Sequence, residues 1–232
     1  MPSTQKIGYF MACACCSSIS VALLGFAMSQ TWAESKLKCA GFETEFFNGT
    51  GLITWKLFKG NFIQYSCPLI SSPKGKDFDV FTVLKESGAP VVLFAVVVLL
   101  LVLCLLSTAL SILIALYNSV SNPYQTYMGP VGVYICSAIS ACLSAVVLIL
   151  FAVTLTGTDA AESVVLNLAG DLSVRTQNRV AVFQLGYFLL LPYTALSLGS
   201  IGIIYFYDHA AYAQRREQQR PTEDAPKEIM MY

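Results

Sequence analysis

Residues 90–116 read PVVLFAVVVLLLVLCLLSTALSILIAL, a run with no acid, base or side-chain amide. As a helix it would be about 40 Å long, more than the roughly 30 Å hydrocarbon core of a bilayer. Charge stays absent well beyond its ends. No Asp, Glu, Lys or Arg occurs between Glu86 and Asp159, and none between Arg179 and Asp208. Of 232 residues 56% are hydrophobic and only 12% charged, against about 25% charged in an ordinary soluble domain. Too few polar side chains remain to clothe a water-facing surface.

Three further runs reach membrane-spanning length: 7–28, 130–155 and 180–207. The predicted fold is therefore an all-α membrane protein, a four-helix transmembrane bundle. The expected organisation is an N-terminus at 1–6, spans at 7–28, 90–116, 130–155 and 180–207, an outer loop at 29–89, an inner loop at 117–129, a second outer loop at 156–179 and a tail at 208–232. Pro90 and Pro130 sit in first turns, where a missing N–H is harmless. Pro192 falls inside the fourth run and predicts a kink. Tyr9, Trp32, Tyr117, Tyr124, Tyr127, Tyr205 and Tyr207 lie near span ends, where amphipathic rings settle at headgroup level. A rival reading takes Lys6, the first apolar run and Ala27-Met28-Ser29 as a signal peptide, which would leave three spans.

Orientation rests on the long loop. Asn48-Gly49-Thr50 is the one glycosylation sequon between spans, and Asn-Gly suits an exposed hairpin tip. Cys39 and Cys67 lie in the same loop and could form a disulfide only in an oxidising compartment. Both features put the loop outside and both chain ends in the cytosol, with the plasma membrane as the expected site. Seven of the Lys/Arg residues lie in this loop, but long loops translocate largely regardless of charge.

Within that loop, 42–47 and 52–58 are rich in aromatic and β-branched residues and flank Asn48-Gly49, and 62–65 follows Lys59-Gly60-Asn61. They predict a small extracellular antiparallel β-sheet whose Trp55 and Phe58 need a cover, either the outer helix ends or a partner protein. The polar stretch 71–86 reads as a flexible return to the membrane.

Six of the eight cysteines, Cys13, Cys15, Cys16, Cys104, Cys136 and Cys142, fall in spans and read as small packing residues, with palmitoylation of the first three as the alternative. Neither they nor His209, the single histidine, form a metal-ligand set. Ser137, Ala141 and Ala145 recur at four-residue spacing with Ser140 and Ser144 beside them, as do Ala195 and Gly199. Small faces of this kind let helices approach closely, within one chain, in a homo-oligomer or against other membrane proteins. The spans hold no ionisable acid or base, Gln184 being their strongest polar side chain and Arg179 lying at an edge, which argues against proton relays and charge-lined pores. No phosphate-binding loop or nucleophile elbow occurs. No catalytic residue, cofactor, metal or nucleic-acid partner is expected, and the bilayer is the first partner.

The inner loop from Tyr117 through Asn122-Pro123-Tyr124-Gln125-Thr126-Tyr127 to Pro130 resembles that of the clarins, and the tail from Tyr212 through Arg215-Arg216 to Arg220 and Ala225-Pro226 is similar to theirs. Met1-Pro2-Ser3 and Leu57-Phe58-Lys59-Gly60 extend the resemblance. Lys56 departs from it, since clarins usually have glycine before the Leu-Phe pair. The resemblance implies a tetraspan protein remotely similar to the claudin and peripheral myelin protein group, one that organises membranes, adhesion sites or the actin cortex rather than catalysing. The claudin-like signature is partial: Trp32 follows the first span, and Leu57-Phe58 stands in place of Gly-Leu-Trp.

The expected function is a non-enzymatic membrane organiser, with a channel or transport accessory subunit as the alternative if Ser107, Thr108 and Ser111 line water. Met230-Met231-Tyr232 ends the chain with the hydrophobic pattern that a PDZ domain captures by strand addition.

Overall fold

The computed structural model describes residues 3–41, 49–65, 75–120, 129–169 and 174–218. In chain order the elements are α1 (Ser3–Ser29), β1 (Ala33–Gly41), β2 (Gly49–Trp55), β3 (Lys59–Tyr65), β4 (Lys76–Asp79), α2 (Val80–Val83), a 3₁₀ turn (Lys85–Ser87), α3 (Ala89–Val120), α4 (Gly129–Gly157), α5 (Ala160–Ala169), β5 (Val174–Phe183), α6 (Leu185–Phe188) and α7 (Leu190–Gln218). The four long helices form a ring in which α1 and α4 each touch both α3 and α7. Buried residues on α3 recur as Phe94, Val97, Leu101, Cys104, Thr108, Ser111 and Ala115, the three-to-four spacing of one helical face. The rest of each helix turns apolar side chains outward, Leu106 and Ile149 among them. That is the inverse of a soluble bundle, as lipid solvation requires.

The fourth apolar run divides. Val180–Phe183 complete β5, and the helix begins only at Leu185, so the reading of 180–207 as one helix is corrected at its start. Pro192 then acts where the helix is interrupted. It has no N–H for the Phe188 carbonyl and its ring crowds that carbonyl, and the chain breaks at Leu189 into α6 and α7. The interruption falls three residues before Pro192, and Leu189 itself keeps helical angles (φ −67°, ψ −17°), so the apolar span runs on from Leu185.

Above the bundle sits one antiparallel sheet of order β4-β3-β2-β1-β5. It is larger than the sequence reading by β1, β4 and β5. β1 precedes the expected first strand: Ala33, Ser35 and Leu37 are buried while Lys36 and Lys38 face solvent, a period-two alternation masked by its charge. The expected strand 42–47 lies outside the described residues. β5 comes from the second loop, so the sheet joins both loops. The expected second strand starts and ends earlier, at Gly49 and Trp55, and the turn falls at Lys56–Lys59, where the Lys56 N–H donates to the Lys59 carbonyl at 2.9 Å.

The stretch read as a flexible return is ordered over its described part. Lys76, Asp77, Asp79 and Lys85 face water while Phe78, Val80 and Leu84 are buried, and Asn61 Nδ2 donates to Asp77 Oδ1 at 2.7 Å. Gly60 is required there, because a Cβ would stand 2.2 Å from the Phe78 ring. In the second loop α5 buries Ala160, Ala161, Val164 and Val165, places Glu162 in its first turn where the helix dipole favours an acid, and ties to α2 through Asn167 Nδ2 donating to the Val83 carbonyl at 2.7 Å.

Candidate functional site: the sheet–bundle junction and the bundle interior

The junction is built from aromatic rings supplied by every layer. Trp32 and Trp55 have no exposed surface. Trp55 stacks on Phe94 of α3 at 5.5 Å between centroids and meets Phe78 edge-on at 6.2 Å. Trp32 stands edge-on to Phe151 of α4 at 5.0 Å, and Phe183 of β5 stacks on Tyr187 of α6 at 4.4 Å. Both indoles satisfy their N–H, Trp32 on the Ala27 carbonyl at 2.8 Å and Trp55 on Ser35 Oγ at 2.9 Å, as buried indoles must. The helix ends, then, are the cover Trp55 required. Phe58 is different: it is half exposed, with the Phe81 ring tilted beside it at 6.3 Å between centroids.

Backbone bonds lock the same junction. The Trp32 N–H donates to the Trp55 carbonyl at 2.8 Å, the Gln184 N–H to the Trp32 carbonyl at 2.9 Å, and the Gly186 N–H to the Thr31 carbonyl at 2.8 Å. Arg179, read in the sequence only as a charge at a span edge, caps α4: its guanidinium donates to the carbonyls of Thr156, at 2.8 Å, and Thr158, and lies 3.7 Å from Asp159. A cation on otherwise unpaired carbonyls at a helix C-terminus is favourable for both bonding and dipole.

In the bundle interior, Tyr193 of α7 reaches across the ring to α3. Its hydroxyl lies 2.7 Å from Thr108 Oγ1, which is 3.2 Å from Ser140 Oγ on α4 and donates to the Cys104 carbonyl at 2.7 Å. About one turn further along α4, Ser144 Oγ and Thr194 Oγ1 are 2.8 Å apart. Of the small residues the sequence singled out, Ser137, Ser140, Ala141 and Ser144 are buried, while Ala145, Ala195 and Gly199 face outward. A four-residue stride drifts about 40° per step on a helix of 3.6 residues per turn, so a row that starts inside winds out. Thr108 and Ser111 are buried as well, and Ser107 half-buried. Tyr193→Phe is expected to lower stability by about 0.6 kcal/mol and by no more than about 1.7, the range of interhelical hydrogen bonds in membranes. A double-mutant cycle with Thr108→Val, read by unfolding in detergent, checks that the two losses are shared rather than additive.

Cys39 lies in β1 opposite Gly49 of β2 and Thr176 of β5. Asn48, Cys67, Met230, Met231, Tyr232 and most of the inner loop, 121–128, lie outside the described residues. The sequence reading missed Ser35, Gly186, Tyr193 and the capping role of Arg179. Only Tyr193, a polar tip one residue past Pro192 in an apolar span, carried a local signal.

Among the described residues four helices are long and apolar enough to cross a membrane. With the sheet folded onto one end of them, the chain is a multi-pass tetraspan membrane protein. No protein-family model matches it. Over 235 aligned residues, covering the whole of both chains, it is 33% identical to Clarin-3 of Mus musculus, 31% to Clarin-3 of Homo sapiens and 33% to Clarin-3 of Rattus norvegicus. The chain belongs to the clarin family.

Proposed function

We propose that this protein is a non-catalytic organiser of membrane, adhesion or cytoskeletal contacts that works through protein–protein interactions, with the sheet outside the cell, both termini cytosolic, and the plasma membrane as its site. The observation that carries this reading is the junction: the inner face of the sheet is fused to the helix ends, so its outer face, with Lys36, Lys38, Thr50, Val180 and Val182 exposed, is held rigidly above the bilayer. Asn48 of the Asn48-Gly49-Thr50 sequon carries a glycan. The end of the chain, Met230-Met231-Tyr232, engages a PDZ-type domain, and outward-facing Ala195 and Gly199 suit helix partners or a second copy. A disulfide between Cys39 and Cys67 ties the loop covalently.

The topology is tested by glycosidase treatment of the protein and its Asn48→Gln variant with tags at both ends. A mass shift abolished by Asn48→Gln, with both tags reachable only after permeabilisation, is expected; a C-terminal tag accessible on intact cells would overturn it. The function is tested by proximity labelling from the intact protein and from a chain lacking 230–232. Adhesion or cytoskeletal proteins enriched with the first and lost with the second are expected.

The second reading, a channel or transport accessory subunit, has one observation in its favour. Ser111 Oγ and Asn118 Oδ1 are buried with no hydrogen-bond partner among the described residues, the kind of groups that internal water satisfies. Solute or ion flux in proteoliposomes that fails on Ser111→Ala would establish it.

A further inference from the structure

We infer that the β2–β3 turn and α2 form a bilayer anchor in the leaflet on the side of the sheet, with Phe58 and Phe81 resting among the lipid headgroups and Lys56 and Lys85 on phospholipid phosphates. Depth is the first argument. Trp55 stacks on Phe94, which lies five residues into α3 and hence about 7.5 Å below its start. Phe58 is three residues from Trp55, a reach of at most about 10 Å. On the other side, the Val80 N–H donates to the Phe58 carbonyl at 3.0 Å, the Leu84 N–H to the Val80 carbonyl at 3.0 Å and the Ser87 N–H to the Leu84 carbonyl at 2.9 Å. These turns lead without a gap into α3, so the tip of the hairpin and α2 sit at the level where the span begins.

Chemistry is the second argument. Phe58 is 50% exposed although the neighbouring Leu57 is fully buried, and its ring makes with Phe81 a small aromatic patch; Val92, in the first turn of α3, is exposed as well. Aromatic rings at this level are stabilised by the interface. Lys56 and Lys85 are exposed beside the patch, where an ammonium meets phosphate. Lys59 is also exposed but has Asp79 opposite it in the strand register, so it contributes less.

The test uses the full chain in phospholipid nanodiscs with Phe58→Trp, its emission taken as the difference from the unsubstituted protein, whose two tryptophans are buried. Quenching by lipids brominated near the headgroup that exceeds quenching by aqueous iodide is expected, and Lys56→Glu with Lys85→Glu should shift the balance towards iodide. Stronger iodide quenching would overturn the anchor and leave the patch free for a protein partner; an unchanged balance in the lysine variant would overturn the phosphate contact. Phe81→Trp gives the same readings should the first variant misfold.

Discussion

Trp32→Ala is expected to remove about 3–5 kcal/mol of stability, the usual cost of emptying a large buried aromatic site, out of about 5–15 kcal/mol in total. The ring is fully buried between the end of α1 and Phe151, and its N–H is held by the Ala27 carbonyl. Truncation leaves a cavity where α1, β1 and α4 meet and removes the shorter of the two bonds on that carbonyl, which keeps the Gln30 N–H at 3.2 Å. Thermal unfolding in detergent or nanodiscs measures the loss, and the cell-surface fraction of the variant should fall with it. Trp32→Phe keeps most of the volume but not the bond, and should fall between the two. A midpoint for Trp32→Ala within error of the parent would mean that Trp32 does not join these layers.

Gly186→Val acts on the same joint from α6. A Cβ at this position would lie 2.6 Å from Trp32 Cδ1 and 2.9 Å from the Thr31 carbonyl oxygen. The second atom is backbone and cannot swing aside, so α6 must move away from β1 and the bond from the Gly186 N–H to Thr31 must lengthen. Overpacking of this kind costs about 1–3 kcal/mol; the extra methyls of valine and the lost bond place the expectation at the upper end. Gly199→Ala is the matched control, since nothing lies within 4 Å of a Cβ there, and it should be neutral or stabilising by up to about 1 kcal/mol through helix propensity. If the two variants unfold together, the close approach at Gly186 is not what holds the joint.

The four spans were legible because each is a one-dimensional signal: a charge-free run long enough for a bilayer needs no knowledge of its neighbours. The sheet was legible only where its strands were apolar. β1 was hidden because Glu34, Lys36 and Lys38 occupy its solvent face, and β4 and α2 because Asp77, Asp79 and Lys85 made them look like linker. α5 carried a readable stripe in Ala160, Ala161, Val164 and Val165, at helical spacing, but in a segment with too few such residues to stand alone.

By itself, then, the sequence determined that the chain lives in a membrane, crosses it four times and carries a small sheet after the first span, since hydrophobic length and alternation follow from local composition. Only the tertiary structure decided that β5 leaves the fourth apolar run to complete that sheet, that Tyr193 meets Thr108 across the bundle, that Gly186 lies against Trp32, and that Arg179 caps α4. Each of these depends on groups far apart in the chain arriving at one place, and pairing across the fold is set by packing geometry, which no window of residues contains.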